Sequence, residues 1–297
     1  QVAGTGDWRS APKEAIIIGL KELPEEITPL HHRHIMFGHA FKDQPDGQKL
    51  LERFQAGGGT LYDLEYLTDD TGRRVAAFGY WAGYAGAAVA IKSWAAAQKG
   101  NICQPLQTFA SAKDLNADVA SDLGKKNPSV IIIGANGRVG SGAQDFCAAL
   151  GASVTCWDIE ETAHGGPFPE ILDHDIFLNC ILANKNTPVF VPKKAKIGPR
   201  KLMVIGDIAC DPGSFYSPIK VYDCATSWEK PALRVHKDKI LDITAIDNLP
   251  SLLPKESSED FAAQLLPHLM MLQEIEKGVW GKACAIFNEY ISKTNTA

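Results

Sequence analysis

The sequence predicts an α/β protein built on doubly wound, mostly parallel sheets. Three observations carry that expectation. Short β-branched runs stop at glycine, as in "AIIIGLKEL" (15–23) and "HIMFGHAFKDQ" (34–44). Strand-like and helix-like segments alternate, which favours a parallel sheet with helical crossovers. One run, "VIIIGANGRVGSGA" (130–143), passes from a strand through a glycine-rich turn into a helix.

The elements follow in order. Strands are expected at 15–18, 35–37 and 59–64, with a helix at 48–55 before the third. A helix spans 79–98, where Gly83, Gly86, Ala87 and Ala90 leave a face bare enough for another backbone to come close. The stretch 75–91 is uncharged but short of the roughly twenty residues of a membrane span, and its small residues suit a buried helix. The polar segment 98–129 is expected to be loop with one exposed helix. A second series has strands at 130–133, 153–157, 176–179 and 202–205 and a helix at 141–150, again strand-helix-strand spacing. Two helices close the chain. One carries Phe261, Leu265, Leu266, Leu269 and Leu272 on a face, with Ser257 and Asp260 as a cap, and the other carries Trp280, Cys284, Phe287 and Ile291.

Bulk properties narrow the function. At 297 residues, with 45% hydrophobic and 22% charged side chains, two domains with real cores are affordable. A net charge of -5 offers no field for a phosphate backbone, so nucleic acid is not an expected partner. Seven cysteines without a C-x-x-C pair fit reduced thiols in a cytosol-like compartment, and no zinc spacing appears. No signal peptide is visible, and the terminal "NTA" is not a peroxisomal address.

In the glycine turn, Gly134, Gly137 and Gly140 remove Cβ atoms where a pyrophosphate would approach, and the helix start attracts its charge. The next strand ends in Asp158, 24 residues after Gly134, near the spacing of a carboxylate that binds the adenosine ribose. Such a carboxylate repels a 2′-phosphate, favouring NAD over NADP. Arg138 is open between a pyrophosphate partner and a solvent-facing residue. Lys21 and His39 both follow strand ends, where ligands of parallel sheets collect. By themselves they read as a surface lysine and a hydrogen-bonded loop histidine, since a strand-end position alone is weak evidence.

Four further segments, "GRRVAAFGYWAGYAGAA", "GANGRVGSGA", "WDIEETAHGGPF" and "IDNLPSLLPKESS", with the two amino-terminal runs, resemble the NAD-dependent, lysine-forming saccharopine dehydrogenases from about residue 8 to the end. The resemblance implies two Rossmann-like domains flanking a cleft: a substrate domain of residues 1–79 plus 255–297, and an NAD domain of 80–254. It implies oxidation of saccharopine by NAD and hydrolysis of the imine to lysine and 2-oxoglutarate, reversibly, by a monomer. Lys21 is then the base for the amine and His39 the acid-base group of the hydrolysis, with Glu22 and Glu65 balancing charge. Lys42, Glu65, Arg73 and Arg74 face the substrate, whose carboxylates suit guanidinium forks. Gly134, Gly137, Arg138, Val139, Gly140, Asp158, Ile159, Thr162, Asp247 and Leu249 bind NAD, with Asp247 close to the nicotinamide.

Two departures from the family pattern stand out. Asn248 occupies a position where the family has histidine, and a strand-helix unit with a substrate-binding basic residue precedes the family's equivalent of residue 1. They motivate a second reading, a non-catalytic paralogue serving as a scaffold or assembly subunit. Alanine dehydrogenase, similar in two-domain organisation, is a second enzyme reading.

Overall fold

The computed structural model describes residues 4–21, 23–24, 26–41 and 45–294. In chain order the elements are β1 (Ile16–Ile18), β2 (Arg33–Met36), α1 (Pro45–Gly57), β3 (Thr60–Asp63), α2 (Gly79–Ala97), α3 (Ala112–Leu123), β4 (Ser129–Ile133), α4 (Arg138–Ala149), β5 (Ser153–Trp157), α5 (Ile159–Thr162), β6 (Ile176–Asn179), β7 (Val204–Asp207), β8 (Leu233–His236), β9 (Leu241–Thr244), α6 (Pro254–Leu269) and α7 (Gly278–Thr294). The chain divides into two compact units, Gln1–Ala77 with Phe261–Ala297, and Phe78–Asp260.

The first unit holds a parallel sheet in the order β1-β2-β3. Leu30, Met36, Phe41, Leu51, Phe54 and Leu61 form its core together with Phe287 of α7. Aromatic pairs tie that helix down: Phe54 meets Phe287 edge-on at 5.7 Å, and Tyr62 meets Trp280 at 6.0 Å. Each such ring buried contributes about 1.5–3 kcal/mol. Leu266, expected on the inner face of α6, is exposed instead.

The second unit holds a six-stranded sheet in the order β5-β4-β6-β7-β9-β8, parallel except for the antiparallel β8. The strands β4 and β6 are apolar nearly throughout, as both faces are covered. On one side α2, α3 and α4 bury Val89, Trp94, Leu115, Phe146 and their neighbours. On the other, short 3-10 turns and extended segments supply Phe168, Ile171, Phe190 and Val221. The bare face of α2 does what its composition suggests. A Cβ on Gly83 would lie 1.8 Å from Val139 O, and one on Gly142 only 1.9 Å from Tyr80 O, so α2 and α4 cross backbone to backbone.

Several boundaries differ from the sequence expectation for physical reasons. The helix α4 starts at Arg138 rather than 141, because Gly140 already packs inside its first turn. Ser257 is not a cap: α6 begins at Pro254, a residue suited to a first helical turn, and the buried Ser257 hydroxyl donates to Pro250 O at 2.8 Å. The segment 98–129 contains α3, whose Leu115, Val119 and Leu123 are buried rather than exposed. The strands β8 and β9 are hidden by a charged pair, since Arg234 Nε donates to the fully buried Asp242 at 2.8 Å across them.

Candidate active site

Three adjacent strand ends in the first unit carry the titratable groups. Pairing of β1 and β2 continues beyond both strands, as Gly19 N donates to Ile35 O at 2.9 Å and Phe37 N to Leu20 O at 3.1 Å. Lys21 and His39 therefore leave the carboxyl edge of neighbouring strands. Alongside, β3 ends in Asp63, in register with Met36, and Glu65 follows.

His39 adopts φ +49°, a left-handed conformation uncommon for a non-glycine residue, and its ring stacks on Phe37 at 6.3 Å. Its Nδ1 lies 3.5 Å from Glu65 Oε2. Arg74 Nη2 donates to the other oxygen, Glu65 Oε1, at 2.7 Å. One nearly buried carboxylate thus stands between a guanidinium and an imidazole, an arrangement that orients the ring. A cavity of about 1320 Å³ opens beside His39, lined by Met36, Gly38, Leu50 and Arg53 among others.

The other residues expected at this site are placed less uniformly. Lys21 is exposed. Arg73 and Arg74 leave a turn in which Asp69 Oδ1 accepts from the amides of Thr71 and Arg73. Arg74 reaches Glu65, while Arg73 is exposed on the turn. Glu22 and Lys42 lie outside the described residues. Asp63 was not legible as a site residue. It is completely buried, and burial pushes its carboxyl up from the usual carboxylate range, reinforced by the nearby charge of Glu65. The signal available was an acid ending a strand two residues before Glu65.

In the second unit the chain runs from β4 to β5 on one side and then crosses to β6 on the other, so the carboxyl end of β4 is the switch point where parallel sheets bind ligands. The glycine turn occupies that point. Gly134 has φ +88°, and a Cβ there would meet Ile181 at 2.5 Å; a Cβ on Gly140 would lie 2.2 Å from Gly134 O. Those two glycines satisfy the turn and the helix-strand contact. Gly137 is different. It caps α4, is exposed, and a Cβ would find only Gly134 O at 3.5 Å. Internal packing leaves that position open to a side chain, whereas a pyrophosphate at the amino end of a 12-residue helix would need the bare backbone.

Asp158 sits beside the turn. Its Oδ2 accepts from Asn136 N at 2.8 Å and its Oδ1 from Ile159 N at 2.9 Å, within a capping box completed by Glu161. Each oxygen keeps a lone pair for a hydroxyl, so the carboxylate can brace the turn and still bind a ribose. Ile159 is largely exposed, and the Thr162 hydroxyl donates to Asp158 O at 2.9 Å. Arg138 and Val139 open α4, with Val139 against α2. Asp247 is exposed, Leu249 is buried in the core against Gly86, and Asn248 Oδ1 accepts from Trp228 Nε1 at 3.0 Å. The residues present therefore fit a dinucleotide. Among the described residues no helix is long and apolar enough to cross a membrane.

Comparisons with known proteins bear on the family. Residues 2–85 match the model for the alanine dehydrogenase/PNT N-terminal domain. An L-alanine dehydrogenase structure superposes with a TM-score of 0.63 at 18% identity, covering 93% of this chain and 76% of that one, a likeness of fold. Sequence likeness is stronger elsewhere. The saccharopine dehydrogenase [NAD(+), L-lysine-forming] of Yarrowia lipolytica is 44% identical over 96% of this chain and 82% of its own length. That of Candida glabrata is 45% identical over 97% and 82%. With identity of that order along nearly its whole described length, this chain belongs to the NAD-dependent, L-lysine-forming saccharopine dehydrogenase family.

Proposed function

We propose that this chain catalyses the reversible, NAD-dependent oxidative cleavage of saccharopine to L-lysine and 2-oxoglutarate. The observation that carries the reading is the 44–45% identity to enzymes of that name across 96–97% of the chain. We assign substrate chemistry to residues 1–79 with 255–297, and NAD binding to 80–254.

NAD, when bound, supplies the hydride acceptor. The helix start at Gly137 and Arg138 holds its pyrophosphate, Asp158 its adenosine ribose with Ile159 and Thr162 alongside, and Asp247 and Leu249 its nicotinamide end. The chain's own groups move protons. A secondary amine must be neutral before hydride can leave the neighbouring carbon, and Lys21 is the assigned base. Water must then add to the imine and the adduct must collapse, which needs one group that both takes and gives a proton. His39, steered by Glu65, is assigned that role. Arg73, exposed on its turn, grips a substrate carboxylate, with Arg74 and Lys42 adding positive charge. The chain works as a monomer on small-molecule substrates. Its seven unpaired cysteines suit a reducing, cytoplasmic setting.

Incubation of the purified chain with NADH, lysine and 2-oxoglutarate tests the activity. Loss of the reduced-nicotinamide absorbance is expected; a folded chain that binds NADH but turns nothing over would overturn it.

A further inference from the structure

Asp63 presents an energetic problem that its structural duties do not solve. It has no exposed surface, and its Oδ2 makes no hydrogen bond of good geometry, its nearest donor being the backbone amide of Gly38. A buried, unsatisfied oxygen of an ionisable group is destabilising by at least about 1–3 kcal/mol. Its other oxygen, Oδ1, caps the short 3-10 helix of residues 64–66 by accepting from Glu65 N at 2.9 Å. Capping needs one oxygen, and serine caps as well as aspartate. The second oxygen therefore calls for another explanation.

Its surroundings supply one. A Cβ on Gly38 would lie 3.2 Å from Asp63 Oδ2 and 2.6 Å from Leu61, so Gly38 rests directly on the carboxyl. The next residue is His39, held in its left-handed conformation. Backbone strain of that kind persists only where neighbours enforce it. Asp63 thus touches both turns of the His39–Glu65 pair: Oδ1 holds the Glu65 amide and Oδ2 supports Gly38.

We propose that Asp63 is a positioning residue, whose carboxyl clamps the Gly38–His39 turn against the Glu65 turn and so sets the imidazole for proton transfer. The inference rests on the reading of His39 as the acid-base group. The raised proton affinity of the buried carboxyl agrees with a group kept for geometry.

Asp63→Ser keeps a cap for Glu65 N and deletes the second oxygen. It is expected to lower kcat about tenfold or more, as displaced catalytic groups do, with NAD affinity within about twofold of wild type. Asp63→Asn, which keeps the shape but turns an NH2 toward one of the two amides, should recover part of kcat. In a His39→Gln background Asp63→Ser should add no further loss, because the two act as one unit. Gly38→Ala, which pushes the turn off the carboxyl from the other side, should behave like Asp63→Ser and covers the case in which that variant does not fold. Wild-type kcat in Asp63→Ser, or losses that add to those of a slow His39→Gln enzyme, would overturn the role of Asp63 alone. Wild-type kcat in His39→Gln would instead remove the reading on which it rests.

Discussion

The two units use the same place, the carboxyl edge of a parallel sheet, in opposite ways. In the first, strand ends deliver side chains: Lys21, His39 and Glu65, over the buried Asp63. In the second, a strand end delivers bare backbone, with Gly134 and Gly140 closing a turn and Gly137 left open at a helix start. The difference teaches what each task requires. Proton transfer, the role we assign to the first unit, needs particular side chains in place, and that unit carries a buried acid and a strained histidine. Binding a pyrophosphate needs amides without side chains in front of them, and glycine meets that need without strain.

The contrast can be broken at several points, the largest effect first. Gly140→Ala should destabilise the second unit by about 3 kcal/mol, since the methyl would sit 2.2 Å from Gly134 O, whereas Gly137→Ala should fold normally and lose NAD affinity. Denaturant melts beside NAD titrations check the pair, and equal destabilisation by both would erase the distinction drawn between the two glycines.

Acid offers a test confined to the first unit. Burial, with help from His32 and Arg53, lowers the His34 pKa from 6.5 to about 4. The folded ring is then neutral where the unfolded one takes a proton, so its contribution is whole above pH 6.5 and is lost as pH falls toward 4. The loss amounts to about 3 kcal/mol at most. Chemical denaturation across that window should show a slope that His34→Phe flattens, and an unchanged slope would count against the buried neutral ring.

Activity sharpens the comparison further. His39→Gln should reduce kcat about a hundredfold while NAD affinity stays put. Asp158→Ala should do the reverse, weakening NAD about tenfold with a smaller effect on folding, where only a cap and a brace to Asn136 are lost. A kcat effect without an affinity effect in Asp158→Ala would move it out of the nucleotide site.

Much of this was legible in the residues. The strands β4, β5 and β6 declare themselves because the runs at 130–133, 153–157 and 176–179 are bounded by turn residues, and α2 because its small residues recur on one face. The strand-turn-helix at Gly134 and the placing of Asp158 beside it were legible because glycines at that spacing between a strand and a helix mark a tight turn. The strands β8 and β9 were not, because the Arg234–Asp242 pair replaces the expected apolar pattern with charges that only cross-strand pairing satisfies. Asp63 escaped notice for a related reason: a strand-end aspartate looks like a turn residue until Gly38 is seen resting on it. The bond from Arg74 to Glu65 escaped notice because nine residues and a turn separate the two in sequence.

The crossing of α2 and α4 has a consequence for how this protein can vary. Gly83 presses on the carbonyl of Val139, one residue into the helix whose start we assign to the pyrophosphate, and Gly142 presses on Tyr80 in return. Neither glycine can gain a methyl without prising the helices apart, and the helix start would travel with them. On that assignment, positions remote from any reactant are enlisted in cofactor affinity, and a methyl at Gly83 or Gly142 would be felt there as much as one in the turn itself.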